Sequence, residues 1–186
     1  TGKLHRYALY EKGNLVDGKF VELDENGTGY IVYNEFFGNH PEAWIVNGEN
    51  NRSALSADGR SVTLSNQATK AMVQRSCYIP FDQTQDYKLE AKMRSYGKNS
   101  KAQYGLLFGF QDWDNYYCFL VSNDGKFAIV GEYEGVVQWL RNWSYSSTTI
   151  YTERDNLLKV FKSDDRFIFA INGTTVAQTP AKNLRG

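Results

Sequence analysis

Glu132 and Glu134, in the stretch GEYEG, stand two residues apart. On an extended strand that spacing sends both carboxylates to one face. There an acid and a nucleophile or base could flank a glycosidic bond, given a separation of roughly 5 to 9.5 Å and surroundings that keep one of them protonated. The plainer reading makes them solvent-facing residues at a hairpin end, and no neighbour in the sequence supplies the partners that such a proton needs. Asp112 and Asp114 would be the further carboxylates of a catalytic set. With Asn115 they surround Trp113 and could also turn oxygens toward Ca2+. Calcium takes about six to eight oxygens, so one turn is too small a donor set, and Asp and Asn are favoured in turns for their own backbone hydrogen bonds. The expectation is no cofactor, with Ca2+ as the one ion this turn could address.

Trp113, Trp139, Trp143 and Tyr145 are the aromatic set that points to binding. A sugar ring lays its apolar C–H face on an aromatic plane while its hydroxyls reach nearby carboxylates and amides, and Trp and Tyr give large contact at small entropic cost. The alternative is that these rings cover core strands; Trp113 and Trp139 are the stronger ligand candidates. His5 and His40 are the only histidines, and no local motif sets a serine or cysteine beside them. Cys77 and Cys118 fit no metal spacing and are too few for a disulfide framework. Each reads as a small buried hydrophobe, with a single bridge between adjacent strands as the alternative. Sequons at Asn26, Asn51, Asn142 and Asn172 matter only in a glycosylating pathway.

The elements that must position these residues are strands. The 186-residue chain has 13 Tyr, 11 Phe, 16 Gly and only 3 Pro, and apolar residues at helical spacing are nearly absent. Asn26-Gly27, Asp58-Gly59, Asn123-Asp124-Gly125 and Asn172-Gly173 each lie between apolar runs, as tight hairpin turns do. Between them the pattern predicts strands over 28–33, 52–55, 61–64, 71–79, 87–96, 103–110, 116–122, 126–133, 157–162, 166–171 and 174–178, the make-up of a sandwich or barrel. The interval 135–154, which holds Trp139, Trp143, Tyr145 and Tyr151, reads as a long loop, where binding residues tend to sit. Residues 1–35 read as a hairpin segment with a weak internal repeat, either an appendage or the first strands of the main sheet, and a main domain spans 36–186.

Two strands carry the architecture. From Tyr104, the residues Tyr104, Leu106, Phe108 and Phe110 share one face, expected to be core, and Gly105, Leu107, Gly109 and Gln111 the other, where glycine leaves room for a bulky neighbour or a ligand. Over 116–121, Tyr117, Phe119 and Val121 alternate with Tyr116, Cys118 and Leu120, so neither face is polar. That predicts a central strand of one sheet of a sandwich with cover on its outer surface. With 21 basic and 21 acidic residues there is no field to gather phosphates, so nucleic acid is not an expected partner. No apolar run reaches membrane-spanning length, and the chain starts without a charged-then-apolar leader.

The segments YGLLFGFQDWDNYYCFLVSNDGKFAIVGEYEG, NWSYSSTTI and NLLKVFKSDDRFIFAINGTTVAQTP, with FFGNHPEAW before them, resemble the concanavalin A-like, laminin-G-like jelly rolls of bacterial envelope and multidomain proteins. The resemblance runs from about Phe36 to Pro180 and rests on Gly-x-x-Phe-x-x-x-Asp-x-x-Asn-Tyr-Tyr and a later Phe-x-Ile-Asn-Gly-x-x-Val. It implies an all-β, antiparallel two-sheet jelly-roll sandwich in an extracytoplasmic or cell-envelope setting. One branch resembles 3-keto-disaccharide hydrolases and laminarinase-type glycosidases, but the Glu-x-Asp-x-x-Glu pattern of the latter does not occur. The leading expectation is therefore a noncatalytic module that binds carbohydrate or another surface polymer. The alternatives are a glycoside hydrolase using Glu132 or Glu134 with Asp112 or Asp114, and a structural module that docks a neighbouring protein domain.

Overall fold

The computed structural model describes residues 2–11, 13–16, 19–22, 30–34, 51–55, 60–66, 85–96, 99–163 and 165–181, with backbone alone for the strands up to residue 55. Fourteen strands are present among them: β1 (Gly2–Glu11), β2 (Gly13–Val16), β3 (Lys19–Glu22), β4 (Tyr30–Asn34), β5 (Asn51–Leu55), β6 (Val62–Asn66), β7 (Tyr87–Ser95), β8 (Gln103–Asp112), β9 (Asn115–Ser122), β10 (Lys126–Tyr133), β11 (Val136–Tyr145), β12 (Asn156–Ser163), β13 (Arg166–Ile171) and β14 (Thr174–Pro180). The expected strand at 71–79, Cys77, His40 and the turns at Asn26-Gly27 and Asp58-Gly59 lie outside the described residues. No helix among the described residues is long and apolar enough to cross a membrane.

The strands form two antiparallel layers. The larger runs β14-β13-β12-β7-β1-β6-β5, with β4 also against β1, and the smaller runs β11-β10-β9-β8; β2 and β3 pair separately. β1 lies inside the larger sheet, pairing β7 along its length and β6 and β4 on its other side. Strand alternation sends Tyr87, Leu89, Ala91, Leu158, Val160, Phe167, Phe169 and Ile171 of one layer against Leu106, Phe108, Tyr117, Phe119, Val121, Phe127 and Ile129 of the other. Ring contacts across the interface, Phe119 to Phe169 at 5.3 Å and Phe108 to Phe169 at 5.9 Å between centroids, show that the layers face each other. On the far side of the larger sheet Lys88 and Glu90 are buried, with Lys159 Nζ 2.9 Å from Glu90.

The turns follow their sequence. Asn172 and Gly173 take φ of 49° and 85°, the pair of positive angles that a two-residue hairpin between right-twisted strands requires. At the β9–β10 turn Gly125, at φ 85°, donates its N–H to Ser122 O at 3.1 Å. One further two-residue turn, Glu134-Gly135 at 51° and 72°, joins β10 to β11.

That turn corrects the reading of 135–154 as a loop. Residues 136–145 form an edge strand of the smaller sheet, so Trp139, Trp143 and Tyr145 extend that sheet instead of hanging over it. Two register shifts against β10, on either side of Ile129, break the alternation by which a strand is recognised. Only residues 146–155 form a connection. It is held by Asn156, fully buried at the start of β12. Asn156 Nδ2 donates to Tyr104 Oη (2.7 Å) and Tyr151 O (2.8 Å), and Asn156 Oδ1 accepts from Tyr151 N (2.8 Å) and Asn172 Nδ2 (2.9 Å).

Candidate functional site

The outer face of the four-stranded sheet is built from the residues between the core positions. Cross-strand register sets Leu107, Cys118, Val130 and Trp139 in one row, and Tyr116, Glu132 and Val137 in the next, roughly 7 Å along at two residues per row. Its middle is apolar and partly shielded. Cys118 is 5% exposed and Ala128 fully buried, each a small side chain flanked in register by larger Leu107, Leu120 or Val130. Burial pushes the Cys118 thiol up to about 11, and it is a free cysteine.

Aromatics stand at the end of this face. β8 does not keep its alternation to the last residue: Gly109 adopts φ 57° and the register against β9 shifts after Phe108. Phe110, expected in the core, therefore turns outward, and its ring meets Trp113 at 4.8 Å between centroids. Trp113, in the β8–β9 turn, lies 6.0 Å from the Tyr116 ring. The Tyr116 hydroxyl donates to Glu132 Oε2 at 3.0 Å. Desolvation, then the Glu132 carboxylate, pushes the Tyr116 hydroxyl up to about 12, so it remains a donor through the neutral range.

Trp113 and Trp139 are 54% and 49% exposed, too open for rings that serve as core cover, and both belong to this face. Trp143 is half-buried further along β11. Tyr145, 75% exposed, pairs in register with Lys126, whose Nζ lies 5.2 Å from its ring centroid at the opposite end of the sheet from Trp113. The four aromatics named from the sequence thus spread over the face: Trp113 stands in the β8–β9 turn at one end, Trp139 on the β11 edge strand beside Val130, and Trp143 and Tyr145 further along that edge.

The glycine spaces of β8 and β10 are filled. A Cβ on Gly131 would collide with the Tyr117 ring, and one on Gly109 would stand 3.2 Å from Tyr117 Cδ2. The ring lies across three strands as an inner-face filler. Gly105 admits the backbone of Phe119. None of these glycines leaves a ligand cleft.

The carboxylates are arranged otherwise than the strand spacing implies. β10 ends at Tyr133, so Glu134 sits in the turn with positive φ, and its N–H donates to Asn115 Oδ1 at 3.1 Å. Glu132 and Glu134 therefore do not share a strand face. Asp112 Oδ1 accepts from Asp114 N (2.9 Å) and Asn115 Nδ2 (2.8 Å), which makes it a turn cap. Among the described residues no three His, Cys, Asp or Glu side chains come together as a metal-binding group. Two contributors escaped sequence reasoning: Phe110, hidden by the bulge, and Tyr116, whose role depends on the cross-strand register with Glu132.

No protein family, no curated protein and no solved structure matches this chain.

Proposed function

We propose that the protein is a noncatalytic β-sandwich module that binds a carbohydrate or similar surface polymer on the outer face of the four-stranded sheet, in a jelly-roll domain of the concanavalin A-like kind. The observation that carries this reading is the pairing of half-exposed Trp113 and Trp139 with the Tyr116–Glu132 hydrogen bond set into the same face. Flat aromatic surface takes the C–H faces of sugar rings, and the second oxygen of Glu132 can accept from a sugar hydroxyl. The displacement of Glu134 into the turn takes it off the strand face of Glu132, so these two do not flank one bond as a same-strand pair, which favours the noncatalytic reading.

The test is retention on a broad panel of immobilised polysaccharides, with tryptophan fluorescence as the solution readout. The expected result is binding to at least one glycan, lost in Trp113→Ala and Trp139→Ala. Absence of retention and of any fluorescence change across the panel would contradict the proposal, as would turnover of a bound oligosaccharide.

A further inference from the structure

The end of the sheet where Trp113 stands is acidic beyond anything the chain's overall balance suggests. Lysine plus arginine equals aspartate plus glutamate, at 21 each, yet no lysine or arginine occurs from Ala102 to Gly125 or from Phe127 to Leu140. On the four strands the basic residues are Lys126, held by Asp124 at 2.9 Å at the opposite end, and Arg141 on the β11 edge. Asp112, Asp114, Glu132 and Glu134 all gather at the Trp113 end. Two hairpin turns are tied together there, by Gly135 N donating to Asp114 O at 3.1 Å and Glu134 N donating to Asn115 Oδ1 at 3.1 Å. The Asp114 carboxylate leans over the neighbouring turn, its Oδ1 3.8 Å from where a Cβ on Gly135 would be. Among the described residues no lysine or arginine forms an ion pair with any of the four carboxylates.

Exposed indole and phenyl rings beside carboxylates that no described lysine or arginine pairs with form a surface with two attractions for the same ligand group. The face of an aromatic ring draws a cation electrostatically, most strongly for Trp. The surrounding carboxylates add a negative potential that raises the local concentration of cations and repels anions. Resting on the glycan reading above, we propose that the ligand is a polysaccharide bearing free amino groups, whose pyranose rings stack on Trp113 and Trp139 while their ammonium groups meet Asp114, Glu132 and Glu134. Polymers of uronic acids or phosphate-bearing sugars are excluded by the same charges.

The experiment compares three oligosaccharides of equal length by titration calorimetry on the intact chain: β-linked glucosamine, its fully N-acetylated counterpart and a uronic acid oligomer. At low salt and a pH at which the amines are protonated, the glucosamine oligomer should bind about tenfold more tightly than the acetylated one. Two or three exposed charge pairs of about two- to fivefold each produce such a ratio. Raising the salt to about 0.5 M should shrink that ratio toward one by screening, and Asp114→Asn combined with Glu134→Gln should shrink it at low salt. Equal affinity for the two at low salt, or tighter binding of the uronic acid oligomer, overturns the amino-glycan inference and leaves the glycan reading standing. Failure of all three to bind, together with a blank on the polysaccharide panel, overturns both.

Discussion

Replacing Asn156 with alanine should destabilise the fold more than any other single polar substitution in the connection between β11 and β12. The side chain is fully buried, and its two amide protons and two oxygen lone pairs are all used, at 2.7 to 2.9 Å, by Tyr104, Tyr151 twice, and Asn172. Of the groups left behind, Asn172 Nδ2 keeps Thr149 O at 2.9 Å. The Tyr104 hydroxyl, whose burial pushes it up to about 12, and the Tyr151 peptide lose the partner that holds them. Three groups are left, the Tyr104 hydroxyl and the Tyr151 N–H and C=O, each costing about 1 to 3 kcal/mol where buried and less where water reaches the exposed Tyr151, so the loss is about 2 to 6 kcal/mol, a large share of the roughly 5 to 15 kcal/mol that holds a domain together. Urea unfolding followed by tyrosine and tryptophan fluorescence measures the difference, with exposed Ser147→Ala in the same connection as a control expected to change stability by less than about 0.5 kcal/mol. Amide exchange at Ile150 and Tyr151 should also quicken, because the network fastens 146–155 to both sheets. A loss below about 1 kcal/mol with unchanged exchange would refute the view that this network anchors the connection.

Three further outcomes follow from the geometry. Cys118 should resist an exposed-thiol reagent at pH 8 in the native protein and react on unfolding, since with its titration near 11 only about one molecule in a thousand carries the thiolate; peptide mapping of the labelled protein reads this directly. Asp124 is held below the usual carboxylate range by hydrogen bonds from Ser122 and Lys126, so the stability it contributes is present above its unfolded value and is lost as the pH falls through its lower folded value. Asp124→Asn should therefore flatten the stability profile below about pH 4, measured by thermal melts between pH 2 and 6. Gly131→Ala should cost about 1 to 3 kcal/mol by overpacking against the Tyr117 ring, and pairing it with Tyr117→Leu should recover some of the loss in a double-mutant cycle.

The sandwich was legible because its central strands obey local rules. Tyr117, Phe119 and Val121 alternate without interruption, and Asn172-Gly173 and Asn123-Asp124-Gly125 carry residues that their turns require. Where the backbone departs from regularity the sequence misleads. The bulges opposite β10 conceal β11, and the positive φ at Gly109 sends Phe110 outward after Tyr104, Leu106 and Phe108 have alternated correctly. Glu134-Gly135 bears no Asn or Asp, so nothing marks it as a two-residue turn, and Glu132 and Glu134 look like a same-face pair until the strand ends between them. The candidate site was legible in residue type, since Trp113 and Trp139 declare themselves, and illegible in arrangement. The Tyr116–Glu132 bond joins residues 16 apart and the Asn156–Tyr104 bond residues 52 apart, and only strand pairing brings them together.

The central claim is that glycan rings rest on the outer face of the four-stranded sheet at Trp113 and Trp139. Its most direct measurement is an NMR titration of the indole N–H and backbone amide signals with the tightest-binding oligosaccharide from the panel. The account predicts that Trp113 and Trp139, together with Tyr116, Glu132 and Val137, move in proportion to saturation while β12, β13 and β14 stay still. Movement centred on β12 to β14 with Trp113 and Trp139 unmoved would contradict it.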